Sequence, residues 1–231
     1  MNSSPAAPIA FSIEKAHQAQ QRMSKLLILN DQLPQKIRHI AGVDVAYTNN
    51  ISIAATAVLN SDTLELEESQ TASCKTLFPY IPTLLSFREI MPTVMCIRKL
   101  KLQPDVILAN GHGYAHPYNC GLASHLGLIL RKPTIGVAKN KIIGNLRKTH
   151  KGTAHIAYKG KTIGTAITTK LGSKQIYVSI GHMISLKTAV EIVKKTTQDT
   201  SLPKPLLEAH KIVTKTKRKI NIQSPTQNKQ W

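Results

Sequence analysis

The sequence has few cysteines and no long apolar run, and each shortage excludes a class of protein. Its three cysteines, Cys74, Cys96 and Cys120, have no CxxC spacing, which argues against a disulfide framework or a zinc knuckle and predicts a reducing compartment. No apolar run approaches the length of a membrane span, and the first residues lack the features of a signal peptide. We therefore expect a cytoplasmic protein that does not enter a membrane.

Acidic residues are also scarce, and they are unevenly distributed. Residues 1–130 contain 10 Lys and Arg against 9 Asp and Glu, whereas residues 131–231 contain 21 against 3. The formal net charge of +19 is therefore carried almost entirely by the second half of the chain. A polarised basic surface attracts polyanions, so nucleic acid is the predicted partner. A proteome rich in lysine would give a similar total charge, and this alternative stays open.

The length of 231 residues allows one sizeable domain, which we place at 12–213. Residues 1–11 are predicted to be a flexible leader, and residues 214–231 a basic, disordered tail. Apolar periodicity predicts helices at 12–29, 83–101 (broken at Pro92), 121–130, 185–195 and 206–213. It predicts strands at 39–47, 51–59, 64–71, 105–109 and 134–137, with further strands between 152 and 180.

Three antiparallel strands, followed by helix, strand, helix and strand, predict an α/β fold with a mixed β-sheet flanked by helices. This order is compatible with an RNase H-like architecture, although the pattern alone does not exclude other α/β folds. In such sheets the chemistry gathers at the carboxyl ends of strands. Polar residues at those ends are therefore the first candidates for a site.

Asn110 is a candidate of this kind, and Asp44 is a candidate because it is a carboxylate within a strand. Asp44 lies inside the apolar strand Ile40–Ala46, where a carboxylate loses solvation and needs a partner such as a metal ion, an arginine or backbone amides. Asn110 ends the apolar run Val106–Ala109, at a position where a metal-dependent nuclease would need a carboxylate. A structural ion pair is the alternative interpretation of Asp44.

Glu89 and Lys139 extend this hypothesis. Asp44 and Glu89 together could hold Mg²⁺, which takes oxygen ligands and needs only a few from the protein. Lys139 follows the predicted strand at 134–137 and could balance the carboxylates or stabilise a charged transition state. A surface glutamate and a surface lysine are the alternatives. The histidines His112, His116 and His125 do not have a specific zinc-binding spacing.

The segment Pro79-Tyr80-Ile81-Pro82, which we call the PYIP loop, forms a stiff turn with an aromatic ring at its tip. A rigid apolar tip of this kind could insert between bases, as unstacking side chains do. The alternative is a packed loop in which Tyr80 is anchored in the core. The residues alone favour the packed loop.

Six separated segments, taken together, resemble the endonuclease V family, the repair nucleases for deaminated adenine. They recur in the family order over about residues 12–213. The segments are Ala41–Val45, Pro79–Pro82 with Leu85–Glu89, Gly111–Gly113 with His116-Pro117, Gly121–Gly127, Pro133–Lys139 and Gly181-His182. The resemblance implies an RNase H-like fold and hydrolysis of the second phosphodiester bond 3′ to deoxyinosine with Mg²⁺, for which Mn²⁺ could substitute.

The resemblance also implies a role for each matched residue. Asp44, Glu89 and Asn110 would be metal ligands, and Lys139 and His210 would complete the catalytic group with Asp44 and Glu89. The PYIP loop would enter the duplex at the lesion, and His116 would contact DNA. Gly111, Gly113 and Gly121 would form the lesion pocket, into which the base is flipped at a cost of a few kcal/mol. The implied partner is DNA containing deoxyinosine, with inosine-containing RNA as a second candidate, and the implied state is a monomer.

Three positions depart from the family pattern: Asn110 replaces an aspartate, Tyr118 an arginine that would contact phosphate, and Lys187 an acid near a helix start. Because Asn110 brings no negative charge, a divalent ion would lose roughly several kcal/mol of attraction. The sequence is therefore compatible with a slow enzyme or with a relic that binds lesions without cutting. A third hypothesis is deamidation of Asn110, which the following Gly111 favours chemically.

Overall fold

The structure, a computed structural model, describes residues 12–149, 153–169, 172–198 and 200–223. The predicted leader and the last eight residues of the predicted tail lie outside these ranges. Its helices are α1 (Ile13–Ser24), α2 (Leu85–Ile97), α3 (Leu122–Leu130), α4 (Leu186–Thr197) and α5 (Lys204–Gln223). Its strands are β1 (His39–Thr48), β2 (Ile51–Asn60), β3 (Leu66–Lys75), β4 (Val106–Asn110), β5 (Thr134–Ala138), β6 (Asn145–Lys148), β7 (Thr153–Tyr158), β8 (Lys161–Ile167) and β9 (Ile176–His182). None of the described helices is both long and apolar enough to cross a membrane.

The described strands form one mixed sheet in the order β3-β2-β1-β4-β5-β9-β8-β7-β6. Strands β1, β4 and β5 are parallel neighbours, and the other pairings are antiparallel. The predicted mixed α/β fold is therefore confirmed. Because β1 and β4 run in the same direction, with Val43 opposite Ala109, the next residues along each strand, Asp44 and Asn110, come together at one sheet edge.

Helices cover both faces of the sheet, and alternate strand residues face different layers. On β1, Ala41 and Val43 pack in the cluster that contains residues of α2 and α3. Ile40 packs instead with residues of α4 and with Leu206 of α5. Because side chains alternate along a strand, Asp44 belongs to the α5 face.

A glycine on β1 allows α5 to lie close to the sheet. A Cβ atom on Gly42 would lie 2.2 Å from the backbone carbon and oxygen of Pro205, near the start of α5. Contact this close needs a residue without a side chain. The close approach brings His210, one and a half turns further along α5, over the end of β1.

The predicted end of the last helix at Val213 was wrong, because α5 continues to Gln223. The prediction gave 214–223 to a disordered tail because this segment is basic and has few apolar residues. Those few are nevertheless on one face: Val213 and Ile220 pack with Ile53 and Ala55 of β2. Packing of one apolar face is what stabilises most protein helices.

Other boundaries also differ from the prediction. Helix α2 continues through Pro92, which was predicted to break it, and Pro92 is buried among its neighbours. Helix α1 ends at Ser24 instead of residue 29, and β6, which is fully exposed, was not predicted. Leu64, the predicted start of β3, is a buried turn residue with φ of 57°. Its burial explains why it fitted the alternating pattern.

Candidate active site

Asp44 lies on β1 beside the end of β4, and both of its carboxylate oxygens have hydrogen-bond partners. Its Oδ1 accepts hydrogen bonds from the backbone N–H of Val45 at 3.0 Å and from Nδ2 of Asn110 at 2.7 Å. Its Oδ2 lies 2.7 Å from Nδ1 of His210 on α5. With only 7% of its surface exposed, Asp44 has the partners that a buried carboxylate requires.

Asn110 takes the position at which the sequence suggested a missing acid. Its amide donates to Asp44, so the metal-free site has a hydrogen bond between an amide and one carboxylate where two carboxylates would repel each other. The following residue, Gly111, is restrained because its backbone N–H bonds to Val137 O at 3.0 Å. Deamidation needs this same nitrogen to attack the Asn110 side chain, so the structure argues against the deamidation hypothesis.

Glu89 is on α2, which packs on the opposite face of the sheet from α5. Burial raises the pKa of Glu89 to about 8; the hydrogen bond from Tyr47 opposes this rise, and the charge of Asp44 adds to it. That bond joins the Tyr47 hydroxyl to Oε1 at 2.9 Å. Arg88 stacks on the Tyr47 ring at 4.4 Å and donates to Phe78 O at 2.6 Å.

Sequence reasoning missed Tyr47, although it lies only three residues from Asp44. The interval places the two side chains on opposite faces of β1, Asp44 towards α5 and Tyr47 towards α2. The signal that could have found it is a polar aromatic residue at the end of an apolar strand. The pairing with Glu89 itself depends on how α2 packs and is not encoded locally.

The donor atoms at this edge fit a hard divalent cation. Asp44 and Glu89 offer carboxylate oxygens, and Asn110 offers an amide oxygen, which are the ligands that Mg²⁺ prefers. Burial is the main reason that the pKa of Glu89 is raised, and the charge of Asp44 adds to the rise. Among the described residues, no three His, Cys, Asp or Glu side chains form a metal-binding group. The site therefore offers fewer charged ligands than a three-acid site would.

Lys139 is not bonded to these acids within the described ranges. It is exposed just after β5 and lines an open groove with Lys174 and Leu202. Its strand is nevertheless adjacent to the site, because Val137 pairs with Asn110. A flexible lysine two residues beyond this pair is near the group without belonging to its hydrogen-bond network.

A cavity of about 100 Å³ lies between the PYIP loop, the start of α2 and the loop after β4. It is smaller than the roughly 300 Å³ at which pockets for drug-sized ligands begin, and so suits a single flat ring system. Leu85 and Ser86 of α2 line it one turn before Glu89, and His112 lines it two residues after Asn110. The other lining residues are Tyr80, Ile81, Pro82, Thr83, His116, Gly121, Leu122 and Ile142.

The predicted lesion and DNA contacts are therefore brought together only in part. Gly121, His116 and three residues of the PYIP loop line this cavity, whereas Pro79, Gly111 and Gly113 do not. A Cβ on Gly113 would lie 2.1 Å from Ile180 O, so that glycine allows its loop to pack against β9. Tyr80 is 71% exposed, which is contrary to the packed-loop interpretation.

Thr83, directly after the PYIP loop, is held in a strained conformation. Its φ of 72° is in the left-handed region, which is unfavourable for a β-branched residue. Gln20 Nε2 donates to Thr83 O at 3.0 Å, and the Nε2 of His116 lies 2.9 Å from the same oxygen. The Nε2 of His17 lies 3.0 Å from the Thr83 hydroxyl. We call these three contacts the Thr83 anchor.

Buried imidazoles in this region are neutral at physiological pH. Burial lowers the pKa of His116 to about 4, so its Nε2–H donates to Thr83 O while its Nδ1 accepts from the Tyr118 N–H at 3.3 Å. Burial also lowers the pKa of His112 and of His125 to about 4. His116 is only 3% exposed, so it supports the cavity and does not provide a charged surface contact.

The structure also shows the contacts around Tyr118 and Lys187, the other two departures from the family pattern. Tyr118 stacks on His17 at 4.2 Å, in a groove that also contains Arg22, Lys25 and Lys159. Lys187 is near the start of α4, where Asp31 supplies the acid: it accepts from Ser185 N at 2.7 Å and Thr188 Oγ1 at 2.8 Å. Burial would raise the pKa of Asp31, but these bonds and Lys187 lower it.

A mixed sheet with helices on both faces, a buried acid on its central strand β1 and a second acid on α2 has the architecture of an RNase H-like nuclease. The family model for endonuclease V matches residues 21–211 of this chain. An endonuclease V of Thermofilum pendens is 41% identical over 88% of this chain and 88% of its own length. One of Archaeoglobus fulgidus is 32% identical over 92% and 96%.

Solved structures of endonuclease V resemble this chain as well. An endonuclease V from Streptomyces avermitilis superposes with a TM-score of 0.85 at 32% identity, covering 93% of this chain and 97% of that one. The Ciona intestinalis endonuclease V, in complex with a 24mer DNA containing an inosine followed by a ribo-adenosine, gives 0.82 at 30% identity, with 90% and 98% covered. The chain therefore belongs to the endonuclease V family, whose members are metal-dependent, DNA-binding repair nucleases.

Proposed function

We propose that this protein hydrolyses the second phosphodiester bond 3′ to deoxyinosine in DNA, with Mg²⁺ as its cofactor and Mn²⁺ as a substitute. The observation that carries the proposal is the pairing of two features. One is the pair of buried acids Asp44 on β1 and Glu89 on α2, whose charges interact. The other is a small cavity lined one turn before Glu89 and two residues after Asn110. The Ciona relative bound to inosine-containing DNA supplies the substrate class. Every residue invoked comes from one chain, so a monomer suffices.

In this mechanism the PYIP loop separates the bases and the cavity receives the flipped one. Tyr80 is exposed at the tip of the loop, and Ile81 and Pro82 line the cavity. The same loop therefore provides both the inserting residue and part of the cavity wall. Ser86 Oγ and His112 Nδ1 are buried without a hydrogen-bond partner in the described structure. Polar atoms on a bound base edge would offset that cost.

The acids then act on the phosphodiester. Asp44, Glu89 and Asn110 would hold the divalent cation, which when bound stabilises negative charge on the reacting phosphate. His210 fixes one Asp44 oxygen and is 57% exposed, so it can also exchange protons with solvent or a leaving group. Glu89 must lose its proton to serve as a ligand. Lys139 would provide a mobile positive charge close to the same phosphate.

The test is a nicking assay on a duplex with one deoxyinosine, with the ends of the products mapped to identify the cleaved bond. We expect cleavage at millimolar Mg²⁺ or Mn²⁺ by the wild type and none by Asp44→Ala. Inosine-containing RNA in the same assay ranks the two substrates. Absence of cleavage by the wild type with both metals and both substrates would refute the proposal.

A second candidate function is lesion binding without cleavage. It is favoured by Asn110, whose amide donates to Asp44 and which adds no charge for a cation. This alternative predicts selective binding of inosine duplexes with no nicking, and activity gained by Asn110→Asp. Equal cleavage rates for the wild type and that variant would contradict it.

A further inference from the structure

We propose that the exposed basic face of α5 is a binding surface for the phosphate backbone of a nucleic-acid duplex, and that it extends the contact away from the cleavage site. The face consists of Lys215, Arg218 and Lys219, which we call the α5 ridge. The inference rests on the proposed function for the identity of the duplex as DNA. It does not depend on whether the chain cleaves.

The first support is position. His210, which contacts Asp44, begins a surface groove of about 480 Å³ that continues through Thr214 and the α5 ridge to Ile222. At 1.5 Å per residue, the path from His210 to Ile222 is about 18 Å long. That length corresponds to about five steps of ~3.4 Å along a DNA strand. A strand whose phosphate reacts at Asp44 would therefore pass along this helix.

The second support is charge. From Lys211 to Gln223 the helix contains five basic residues and no acid. Lys211 is paired with Glu208 at 2.7 Å, whereas the described structure shows no acidic partner for the three residues of the ridge, all of which are exposed. Positive charges without partners, in a row that starts at a phosphodiester-cleaving site, complement a phosphate backbone.

The third support is rigidity. The opposite side of the same turns is buried, because Val213 and Ile220 pack with β2. Thr48 Oγ1 in β1 donates to Asn221 Oδ1, which fastens the last turn to the sheet. The α5 ridge is thus held in a fixed place relative to Asp44. Its residues lie beyond residue 211, where the match to the family model ends.

The test compares two triple variants with equal loss of charge. One is Lys215→Gln/Arg218→Gln/Lys219→Gln; the control is Lys101→Gln/Lys187→Gln/Lys194→Gln, all exposed positions away from the groove. Binding to an inosine duplex and to an unmodified duplex is measured over a range of salt concentrations, in Ca²⁺ to prevent cleavage. Each phosphate contact contributes about 0.9 to the slope of log K against log salt.

We expect the ridge variant to reduce the slope by about two to three units on both duplexes, and the control by less than one. Equal slopes for the two variants would overturn the proposal, even if the protein cleaves inosine DNA normally. If instead the wild type neither cleaves inosine DNA nor binds it more tightly than unmodified DNA, the proposed function is refuted. The salt slope of the ridge variant would still report on the surface.

Duplex length provides a second, independent measurement. Shortening the duplex to within about three base pairs of the cleaved bond should weaken wild-type binding on one side only, the side that α5 covers. The ridge variant should be insensitive to the same shortening, because the lost phosphates no longer have a partner. If shortening weakens both proteins equally on both sides, the strand does not follow α5 and the proposal is wrong.

Discussion

Asp44 and Glu89 present the same chemical group at the same sheet edge, but the fold supports them differently. Both are 7% exposed, so the difference is not one of burial. Asp44 faces α5 and accepts hydrogen bonds from Val45, Asn110 and His210, whereas Glu89 faces α2, where Tyr47 donates to it. The comparison shows that burial alone does not determine the free-energy cost of a buried carboxylate. The number of hydrogen bonds that the carboxylate accepts decides how much of its lost solvation is replaced.

The largest effect is expected from removing the well-bonded acid. Asp44→Ala deletes a charged ligand worth roughly several kcal/mol to a divalent ion, which at ~1.4 kcal/mol per tenfold predicts a loss of about 10³-fold or more in cleavage. The measurement is single-turnover nicking of an inosine duplex. As a control, Asp105→Ala removes an acid that instead bonds the backbone of Arg38 and His39. Comparable losses in the two variants would show that the effect is on folding.

Glu89→Gln should separate activity from stability. Cleavage should fall by about 10²-fold, while the metal-free protein should melt at a higher temperature at pH 7. The folded-state pKa of about 8 is above the unfolded value of ~4.3, so the folded state binds the proton more tightly. Stability is therefore full below pH ~4.3 and declines as pH rises towards 8. Glutamine removes this decline.

Thermal unfolding with a chelator present, at pH 5 and at pH 8, measures that decline. We expect the wild type to lose stability between these values and Glu89→Gln to lose much less. Asp44→Asn is the matched control, because it makes the same change from acid to amide at an equally buried position. If both variants raise the melting temperature at pH 8 equally, the hydrogen bonds of the two acids do not stabilise them differently, and the comparison is wrong.

Asn110→Asp tests how a third carboxylate changes the affinity of the site for a divalent cation. A third carboxylate should tighten Mn²⁺ binding by about tenfold or more and raise the cleavage rate at limiting metal. It should also destabilise the metal-free protein, because the hydrogen bond to Asp44 becomes a repulsion. Calorimetric titration with Mn²⁺ measures the first effect. Unchanged affinity would mean that Asn110 is not a ligand.

The smallest effect is expected from Tyr47→Phe, which removes a hydrogen bond that lowers the pKa of Glu89. The pKa in the metal-free protein should rise further. At limiting metal, where the cation competes with the proton for Glu89, the cleavage rate should therefore reach its plateau at a higher pH. At pH 7 this is a reduction of several-fold, with little change above pH 9. The pH–rate profile of the two proteins checks this. A lower plateau with an unshifted profile would assign Tyr47 another role.

The sequence predicted the neighbourhood of Asp44 better than that of Glu89. Asp44 lies inside an apolar strand and Asn110 ends the neighbouring one, and parallel pairing of these strands brings the two together, so local pattern and topology suffice. Tyr47 and the Thr83 anchor depend on residues between 33 and 66 positions apart that meet only after the helices pack. The second half of α5 was missed for a related reason, because its apolar face has too few residues to stand out until β2 covers it.

The Thr83 anchor has a consequence for how this sequence can change over evolutionary time. Thr83 in its left-handed conformation depends on His17, Gln20 and His116, which come from α1 and from the loop before α3. A glycine at 83 would adopt the same φ without cost, and the three partners would then be free to vary. While threonine remains, the four positions are linked. A change at any of the three partners is tolerated more readily after Thr83→Gly than before it. The order in which substitutions arise therefore decides which lineages keep a rigid PYIP loop.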